Sequence, residues 1–162
     1  MTPENARSNA GEEAKLGQDT LAEAQHLLGE GFYKGAVSRA YYAAYHYARA
    51  LLFLKGLDPK THQGVIQLLG LHFVKTGILT PIKADILPRL ETLRGLSDYH
   101  AEADFKKADA EQAIRDTQEF LDECSKILTR HGVHARASNS VGRSRRKRPR
   151  ARARQRPRPR RR

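Results

Sequence analysis

The chain has a single cysteine and no long apolar run, and each absence excludes a class of protein. Because Cys124 is the only cysteine, an internal disulfide and a cysteine-based metal cluster are both excluded. No apolar stretch approaches the roughly 20 residues that cross a bilayer. The first seven residues lack the apolar core of a secretory signal peptide. We therefore expect a cytoplasmic protein that does not enter a membrane.

Acidic residues are absent from the C-terminal part of the chain, which divides the sequence in two. Of the 30 Lys and Arg residues, 14 lie in residues 134–162, leaving 16 against 18 acids in residues 1–133, a net charge of −2. The formal charge of +12 therefore belongs to the C-terminal segment. Residues 143–162 also lack large apolar side chains, so burial cannot offset the entropy of ordering them. We predict a folded domain over residues 1–132 and a disordered basic tail over residues 133–162.

The basic tail is the first candidate for binding. Closely spaced arginines neutralise phosphates and release counterions, which gives salt-dependent binding to nucleic acid without sequence preference. The same charges would bind any polyanion in solution, so two interpretations remain open: a dedicated nucleic-acid segment, or a sticky tail without a dedicated partner. The candidate residues are Arg143, Arg145, Arg146, Lys147, Arg148 and Arg150.

Strand-like alternation is also absent, and apolar residues instead recur at helical spacing. In the central segment, one side of a helix carries Val37, Tyr41, Ala44, Ala48, Leu51 and Leu52. Thr2-Pro3, Asp58-Pro59 and Thr80-Pro81 are typical helix starts, and the apolar pattern weakens after Arg94. We predict an all-α, up-and-down bundle of four to five helices with the central segment in its middle.

A polar stripe on the central helix is a second candidate site. It consists of Arg39, Tyr42, His46 and Arg49, which lie on another side of that helix. The stripe could bind a phosphate or a nucleotide, or it could line a groove between two subunits. The alternative, which we favour, is a polar layer inside the bundle whose groups are satisfied by backbone or acids.

Several catalytic motifs are missing from the sequence. It has no glycine-rich phosphate loop, no Ser-His-Asp order and no acidic pair of the nucleotidyltransferase type. His62 and His72 are ten residues apart, and they offer little support for a metal site. We therefore expect neither a metal ion nor a cofactor.

The segment from Arg94 to His100, with Asp98 and Tyr99 between them, is the third candidate. A histidine that moves protons and an arginine that stabilises phosphorane charge could together cleave RNA. However, Arg94 and Asp98 have the i, i+4 spacing of an ordinary helix ion pair. In an unbroken helix, His100 would also point roughly 120° away from Arg94. From the pattern alone, a structural role is the stronger interpretation.

Four separated blocks, residues 36–46, 57–65, 73–77 and 94–99, resemble the small stand-alone HEPN proteins (higher eukaryotes and prokaryotes nucleotide-binding). The resemblance extends over residues 16–128 and does not include the basic tail. It implies a helical bundle that forms a homodimer. Many HEPN domains are metal-independent ribonucleases with an arginine followed, after four to six residues, by a histidine. Arg94 and His100 match that motif, and a dimer would bring two such motifs into one cleft.

The resemblance also implies a partner. Many prokaryotic HEPN proteins pair with a minimal nucleotidyltransferase in toxin–antitoxin modules, in which the partner can adenylylate a tyrosine near the motif. Tyr99 would be the acceptor here. Three hypotheses remain open: a toxin-like ribonuclease using Arg94 and His100, a non-catalytic module that binds a nucleotide or partner, and nucleic-acid binding through the tail alone.

Overall fold

The computed structural model describes residues 1–100 and 102–134, and its regular structure is helical throughout those residues. This confirms the predicted all-α bundle. The helices are α1 (Pro3–Gly29), α2 (Tyr33–Leu54), α3 (His62–Leu69), α4 (Pro81–Ala84), α5 (Ile86–Tyr99) and α6 (Lys107–Arg130). A π-helical turn, Gly70–Val74, continues α3. The predicted tail segment from Arg143 to Arg150 lies outside the described residues.

Helix α2 occupies the middle of the bundle, where it packs against α1, α3, α5 and α6. All six residues predicted for its apolar side are fully buried, so that prediction is confirmed. Small residues let α1 approach closely: a Cβ added at Gly17 would lie 2.5 Å from a ring carbon of Tyr47. At the turn into α2, Gly31 has a φ of +81°, a conformation that favours glycine. None of the described helices is long and apolar enough to cross a membrane.

Two of the three predicted helix starts are confirmed. The Thr2 hydroxyl accepts a hydrogen bond from the amide of Asn5, and the Thr80 hydroxyl accepts one from the amide of Lys83. These bonds satisfy amides that have no partner within the helix. The short α4 then breaks at Asp85, so that α5 begins at Ile86, just before Pro88.

The predicted start at Asp58-Pro59 is wrong, because a long-range contact uses those residues. Arg49 of α2 donates hydrogen bonds to the Asp58 carboxylate, at 3.0 Å, and to the Pro59 carbonyl, at 2.9 Å. The chain therefore stays in a loop up to Thr61, whose hydroxyl accepts from the amide of Gly64. Helix α3 accordingly begins at His62.

Helix α5 also differs from the expectation, since it continues without a break beyond Arg94 to Tyr99. Its last turn is anchored to the beginning of α2 by the buried Ser97, whose hydroxyl donates to the Lys34 carbonyl at 3.0 Å. His100 is the first residue after the helix, in an extended conformation with φ −115° and ψ 100°. A tertiary contact therefore maintains a helical turn whose apolar pattern is weak.

Candidate functional site

Arg94 lies in a pocket of tyrosine rings between α5 and α2. Its guanidinium carbon is 5.2 Å from the ring centre of Tyr41, 5.9 Å from that of Tyr42 and 5.7 Å from that of Tyr99. Ring faces attract a cation most strongly when water is excluded, and the Arg94 side chain is only 11% exposed. We call Tyr41, Tyr42, Tyr45 and Tyr99, with Arg94 and His62, the tyrosine cluster.

The hydrogen bonding of Arg94 is incomplete. One terminal nitrogen lies 3.5 Å from the Asp98 carboxylate, a long ion pair within one helical turn. The Nε atom is buried and has no hydrogen-bond partner among residues 1–100 and 102–134. Burial acts to lower the pKa of Arg94, but the neighbouring Tyr99, Tyr42, Tyr41 and Asp98 outweigh it and raise the pKa. Arg94 is therefore a permanent positive charge with a free donor, as an anion-binding group would be.

His62, the first residue of α3, packs against the tyrosines of α2. Its ring is stacked on those of Tyr45, at 4.6 Å between centres, and Tyr41, at 5.6 Å. The Nδ1 atom shares a hydrogen bond with the hydroxyl of the buried Tyr41. Burial and, next, the charge of Arg94 lower the pKa of His62, and the Glu91 carboxylate partly counteracts them. The imidazole is consequently neutral near neutral pH.

Sequence reasoning missed His62, which it considered only as a metal ligand together with His72. One local signal was present: Thr61-His62-Gln63-Gly64 is a capping sequence that puts His62 in the first turn of a helix. Its neighbours Tyr41 and Arg94 are distant in sequence, so only the packing of α2, α3 and α5 brings the three together. Neither His62 nor His72 belongs to a group of three potential metal ligands in the part of the chain that the structure describes.

The predicted polar stripe divides into two parts with different surroundings. His46 Nδ1 lies 2.8 Å from one Glu13 oxygen, and Arg49 Nε donates to the other at 2.9 Å. Burial would raise the pKa of Glu13, but the hydrogen bonds from His46 and Arg49 lower it. Together with Asp58 these residues form what we call the Glu13 network, which ties α1 to α2 and to the loop before α3. His46 and Arg49 therefore form the kind of polar layer that was the favoured interpretation.

Arg39 and Tyr42, the other two residues of the stripe, lie towards the tyrosine cluster. The Arg39 guanidinium is 5.1 Å from the Tyr42 ring centre and makes a long ion pair, at 3.6 Å, with Glu23 of α1. Tyr42 in turn contacts Arg94. Of the four stripe residues, Tyr42 is thus the one that contacts Arg94.

His100 lies at the edge of the site. Its side chain is 54% exposed, and Nδ1 is 3.2 Å from a Glu102 oxygen. Its carbonyl accepts a hydrogen bond from Lys34 Nζ at 2.8 Å, which fixes the backbone at the end of α5. No hydrogen bond joins Arg94 to His100 in residues 1–100 and 102–134. The neighbouring Tyr99 has its ring against Arg94, yet it is 76% exposed.

Cys124 is the remaining reactive residue type, and it is fully buried in the core. Burial raises the pKa of its thiol well above the ordinary value. The thiolate is the reactive form of cysteine, and a raised pKa keeps the thiol protonated. Cys124 is therefore a packing residue.

Curated proteins of archaea are similar to this chain. A Methanocaldococcus jannaschii protein named "Putative toxin MJ0605" is 37% identical over 114 residues, which are 70% of this chain and 84% of that protein. A second one, named "Putative toxin MJ0142", is 32% identical over 68% of this chain and 76% of its own length. The Pyrococcus horikoshii protein named "UPF0332 protein PH1297" is 45% identical over 45% of this chain and 51% of that protein. Residues 15–128, most of the folded part, match the family model described as HEPN domain. The chain therefore belongs to the HEPN domain family.

Proposed function

We propose that this protein is a metal-independent endoribonuclease that acts as a toxin, with Arg94 and His100 as its catalytic residues. The observation that carries the proposal is the Arg94 guanidinium, held among tyrosine rings with a buried donor that has no partner among the described residues. Such a donor gains a partner when a phosphate binds, and its charge stabilises the extra negative charge of the phosphorane. The names of the two Methanocaldococcus relatives support the toxin role.

The proposed substrate is single-stranded RNA. Its ribose 2′-hydroxyl supplies the nucleophile, so that the protein needs only to stabilise charge and move protons. His100 is partly exposed and directly follows the helical turn that contains Arg94, and an imidazole is the side chain most often used to move protons in catalysis. The exposed Tyr99 ring offers a face on which a base can stack.

We further propose that the active form is a homodimer whose two Arg94–His100 segments share a cleft. Three large apolar or aromatic side chains are exposed at the end of α5 and the start of α2: Leu96 at 42%, Tyr99 at 76% and Phe32 at 62%. Burial of such a patch against a second copy would be favourable. It would also bring the His100 of each subunit towards the Arg94 of the other.

A minimal nucleotidyltransferase is the partner proposed for control of the toxin. The Tyr99 hydroxyl is accessible to such an enzyme, and its ring touches Arg94. Transfer of an adenylyl group to Tyr99 would put a phosphate beside the guanidinium and occupy the site that RNA needs. We expect the basic tail to raise the local concentration of RNA.

Inducible expression of the full chain tests the proposed activity. Wild type should stop growth and degrade bulk RNA, whereas Arg94→Ala and His100→Ala should be harmless. Arg115→Ala and His26→Ala are the matched controls, because both residues are exposed on other helices. These controls should remain toxic. If wild type and the site variants all behave alike, the ribonuclease proposal is wrong.

That outcome would favour the non-catalytic alternative, in which the tyrosine cluster holds a nucleotide or a partner protein. The specific observation in its support is the pairing of His100 with Glu102 rather than with Arg94. Nucleotide binding distinguishes the two functions. A binding module would bind a nucleotide without cleaving RNA, and Arg94→Ala would weaken that binding. If deletion of residues 143–162 alone abolished all RNA binding, the third hypothesis, binding through the tail, would be correct.

A further inference from the structure

We propose that His62 is a second proton-transfer residue of this site, provided together with Arg94 by the same protomer. The inference rests on the proposed RNA cleavage and deepens it. His62 and Arg94 both contact Tyr41, His62 by stacking and a hydrogen bond, and Arg94 over the ring face. A protomer thus contains a histidine beside its own essential arginine, whereas His100 is directed to Glu102.

The position of His62 is fixed by the cap of its own helix and by contacts with the tyrosines of α2. Thr61 caps the helix that His62 begins, and Arg49 holds the preceding loop through the Pro59 carbonyl. Stacking on Tyr45 and the hydrogen bond to Tyr41 set the plane and rotation of the ring. Proton transfer requires a group held at a defined position, and this arrangement provides one.

The hydrogen bond to Tyr41 leaves the other ring nitrogen available. Nε2 forms no hydrogen bond with any residue in 1–100 or 102–134, and the ring is only partly buried. The hydrogen bond between the Tyr41 hydroxyl and Nδ1 is compatible with either tautomer of the imidazole. The proposal places the imidazole proton on Nδ1, which donates to the Tyr41 oxygen. In that tautomer Nε2 has a free lone pair, and it is a base.

The charge state of His62 is set by groups on two neighbouring helices. Helix α5 contributes Arg94, which lowers the pKa, and Glu91, which raises it; burial is the largest influence and also lowers it. Helix α2 contributes the rings of Tyr41, Tyr42 and Tyr45. The result is an imidazole that is unprotonated and ready to accept a proton at neutral pH.

In the proposed step, His62 Nε2 takes the proton of the ribose 2′-hydroxyl. The O2′–P bond forms, Arg94 stabilises the charge on the phosphorane oxygens, and the P–O5′ bond breaks. His100 gives a proton to the leaving O5′. The products are a 2′,3′-cyclic phosphate and a free 5′-hydroxyl, and the protons balance because one histidine gains what the other loses.

The first test needs no activity. The pKa of His62 is measured in the full chain from the pH dependence of its ring C–H resonance. That resonance is assigned as the signal that is missing from the spectrum of His62→Gln. Arg94→Gln should raise this pKa, because a positive neighbour is removed, and Glu91→Gln should lower it. Arg115→Gln, on the exposed side of α6, should leave it unchanged. Shifts that are absent, or of the same sign in both variants, would overturn the placement of His62 between these charges.

The second test is the pH dependence of RNA cleavage. Because the unprotonated form of His62 is active, the rate should rise with pH through the pKa measured by resonance, and Glu91→Gln should move that rise to lower pH. His62→Gln should lose on the order of 10²-fold or more in rate with RNA affinity unchanged. His72→Gln is the matched control, because His72 follows the same helix, and it should cleave like wild type.

The outcomes separate this inference from the proposed function. If Arg94→Ala abolishes cleavage while folded His62→Gln cleaves like wild type, His62 is not a proton-transfer residue and the ribonuclease proposal stands. If His62→Gln does not fold, Tyr41→Phe replaces it as the test variant. Tyr41→Phe removes the hydrogen bond that orients the His62 imidazole, so we expect it to cleave RNA more slowly. An unchanged pH profile of cleavage in Tyr41→Phe would refute the inference. If wild type cleaves no RNA, both are wrong.

Discussion

The Glu13 network and the tyrosine cluster both include residues of the central helix α2, but their charged groups differ in how they are paired. In the Glu13 network, both Glu13 oxygens bond to α2, and Arg49 bonds to two carboxylates and a carbonyl. In the tyrosine cluster, Arg94 faces aromatic rings, and its one ion pair is long. Glu91 forms no ion pair in residues 1–100 and 102–134.

The difference indicates where a ligand can bind. In the Glu13 network both carboxylate oxygens bond to α2 and the arginine already bonds to two carboxylates and a carbonyl, so these groups hold elements together. A buried cation with a free donor is costly in the free protein and gains most from an incoming anion. The Glu13 network is therefore structural, and the tyrosine cluster is the functional candidate.

The largest stability effect should come from Arg49→Ala. The substitution removes the bonds to Asp58 and Pro59 and leaves the mostly buried Glu13 with His46 alone. Loss of one partner of such a pair is strongly destabilising, and we expect the free energy of unfolding to fall by about 3 kcal/mol. Chemical denaturation of the full chain measures it.

Arg94→Ala is the comparison for that prediction. It removes the contacts with three tyrosine rings and a long ion pair, but it also removes a buried Nε that lacks a partner, so the free energy of unfolding should fall by only about 1 kcal/mol. Equal losses in the two variants would contradict the division into a structural network and a functional cluster.

The pH dependence of stability should reveal the Glu13 network as well. Burial acts to raise the pKa of Glu13 above its ordinary 4.5, but the hydrogen bonds from His46 and Arg49 outweigh burial and lower the pKa in the folded chain. The ionised carboxylate thus stabilises the fold above pH 4.5, and this stabilisation is lost as the pH falls through the lower folded pKa. Denaturation between pH 3 and 7, at intervals of about half a unit, should show the loss.

Glu13→Gln provides the control for that titration. Without an ionisable group at this position, the variant should be less stable than wild type at pH 7, and its stability should fall less steeply in acid. If the two curves were parallel, Glu13 would not be the group that titrates. The effect should be smaller than that of Arg49→Ala, because the amide can still accept from Arg49.

The bundle could be predicted from the sequence because its cause is local and repeated. The apolar residues of α2, from Val37 to Leu52, recur at helical spacing, and all of them are buried. Thr2 and Thr80 cap helices as their local sequence indicates. Asp58-Pro59 carries the same local signal, but Arg49 takes both residues in a tertiary contact. Local rules fail where a distant charge competes for the same groups.

The site was only partly predictable for the same reason. Arg94 and Tyr42 were both candidates, but as members of two separate sites; packing of α5 against α2 unites them. The Thr61 cap places His62 at the start of a helix, but nothing local indicates its neighbours, since Tyr41, Tyr45 and Arg94 belong to other helices. The spacing of Arg94 and His100 stays a prediction about catalysis, because it concerns a cleft between two copies.

The smallest predicted effect compares two glycines of the same helical segment. Gly70 has helical φ and ψ angles of −57° and −46°, and a Cβ there would meet open space. Gly70→Ala should therefore raise the free energy of unfolding by about 0.5 to 1 kcal/mol. A Cβ at Gly64 would lie 2.9 Å from the Thr61 hydroxyl oxygen and 3.4 Å from Pro59 Cβ. Gly64→Ala must therefore displace the Thr61 cap. Loss of the cap costs about 1 kcal/mol, which cancels the stabilisation that a Gly→Ala change would otherwise give.

The two variants also differ in what they do to the site. Since Thr61 caps the helix that His62 begins, Gly64→Ala should disturb the stacking of His62 on Tyr45 and its bond to Tyr41. Gly70→Ala leaves that end of α3 untouched. We expect the His62 ring resonance and the RNA cleavage rate to change in Gly64→Ala only, although its overall stability stays close to wild type. Equal stabilisation by both substitutions, with identical His62 spectra, would mean that the Thr61 cap does not position His62.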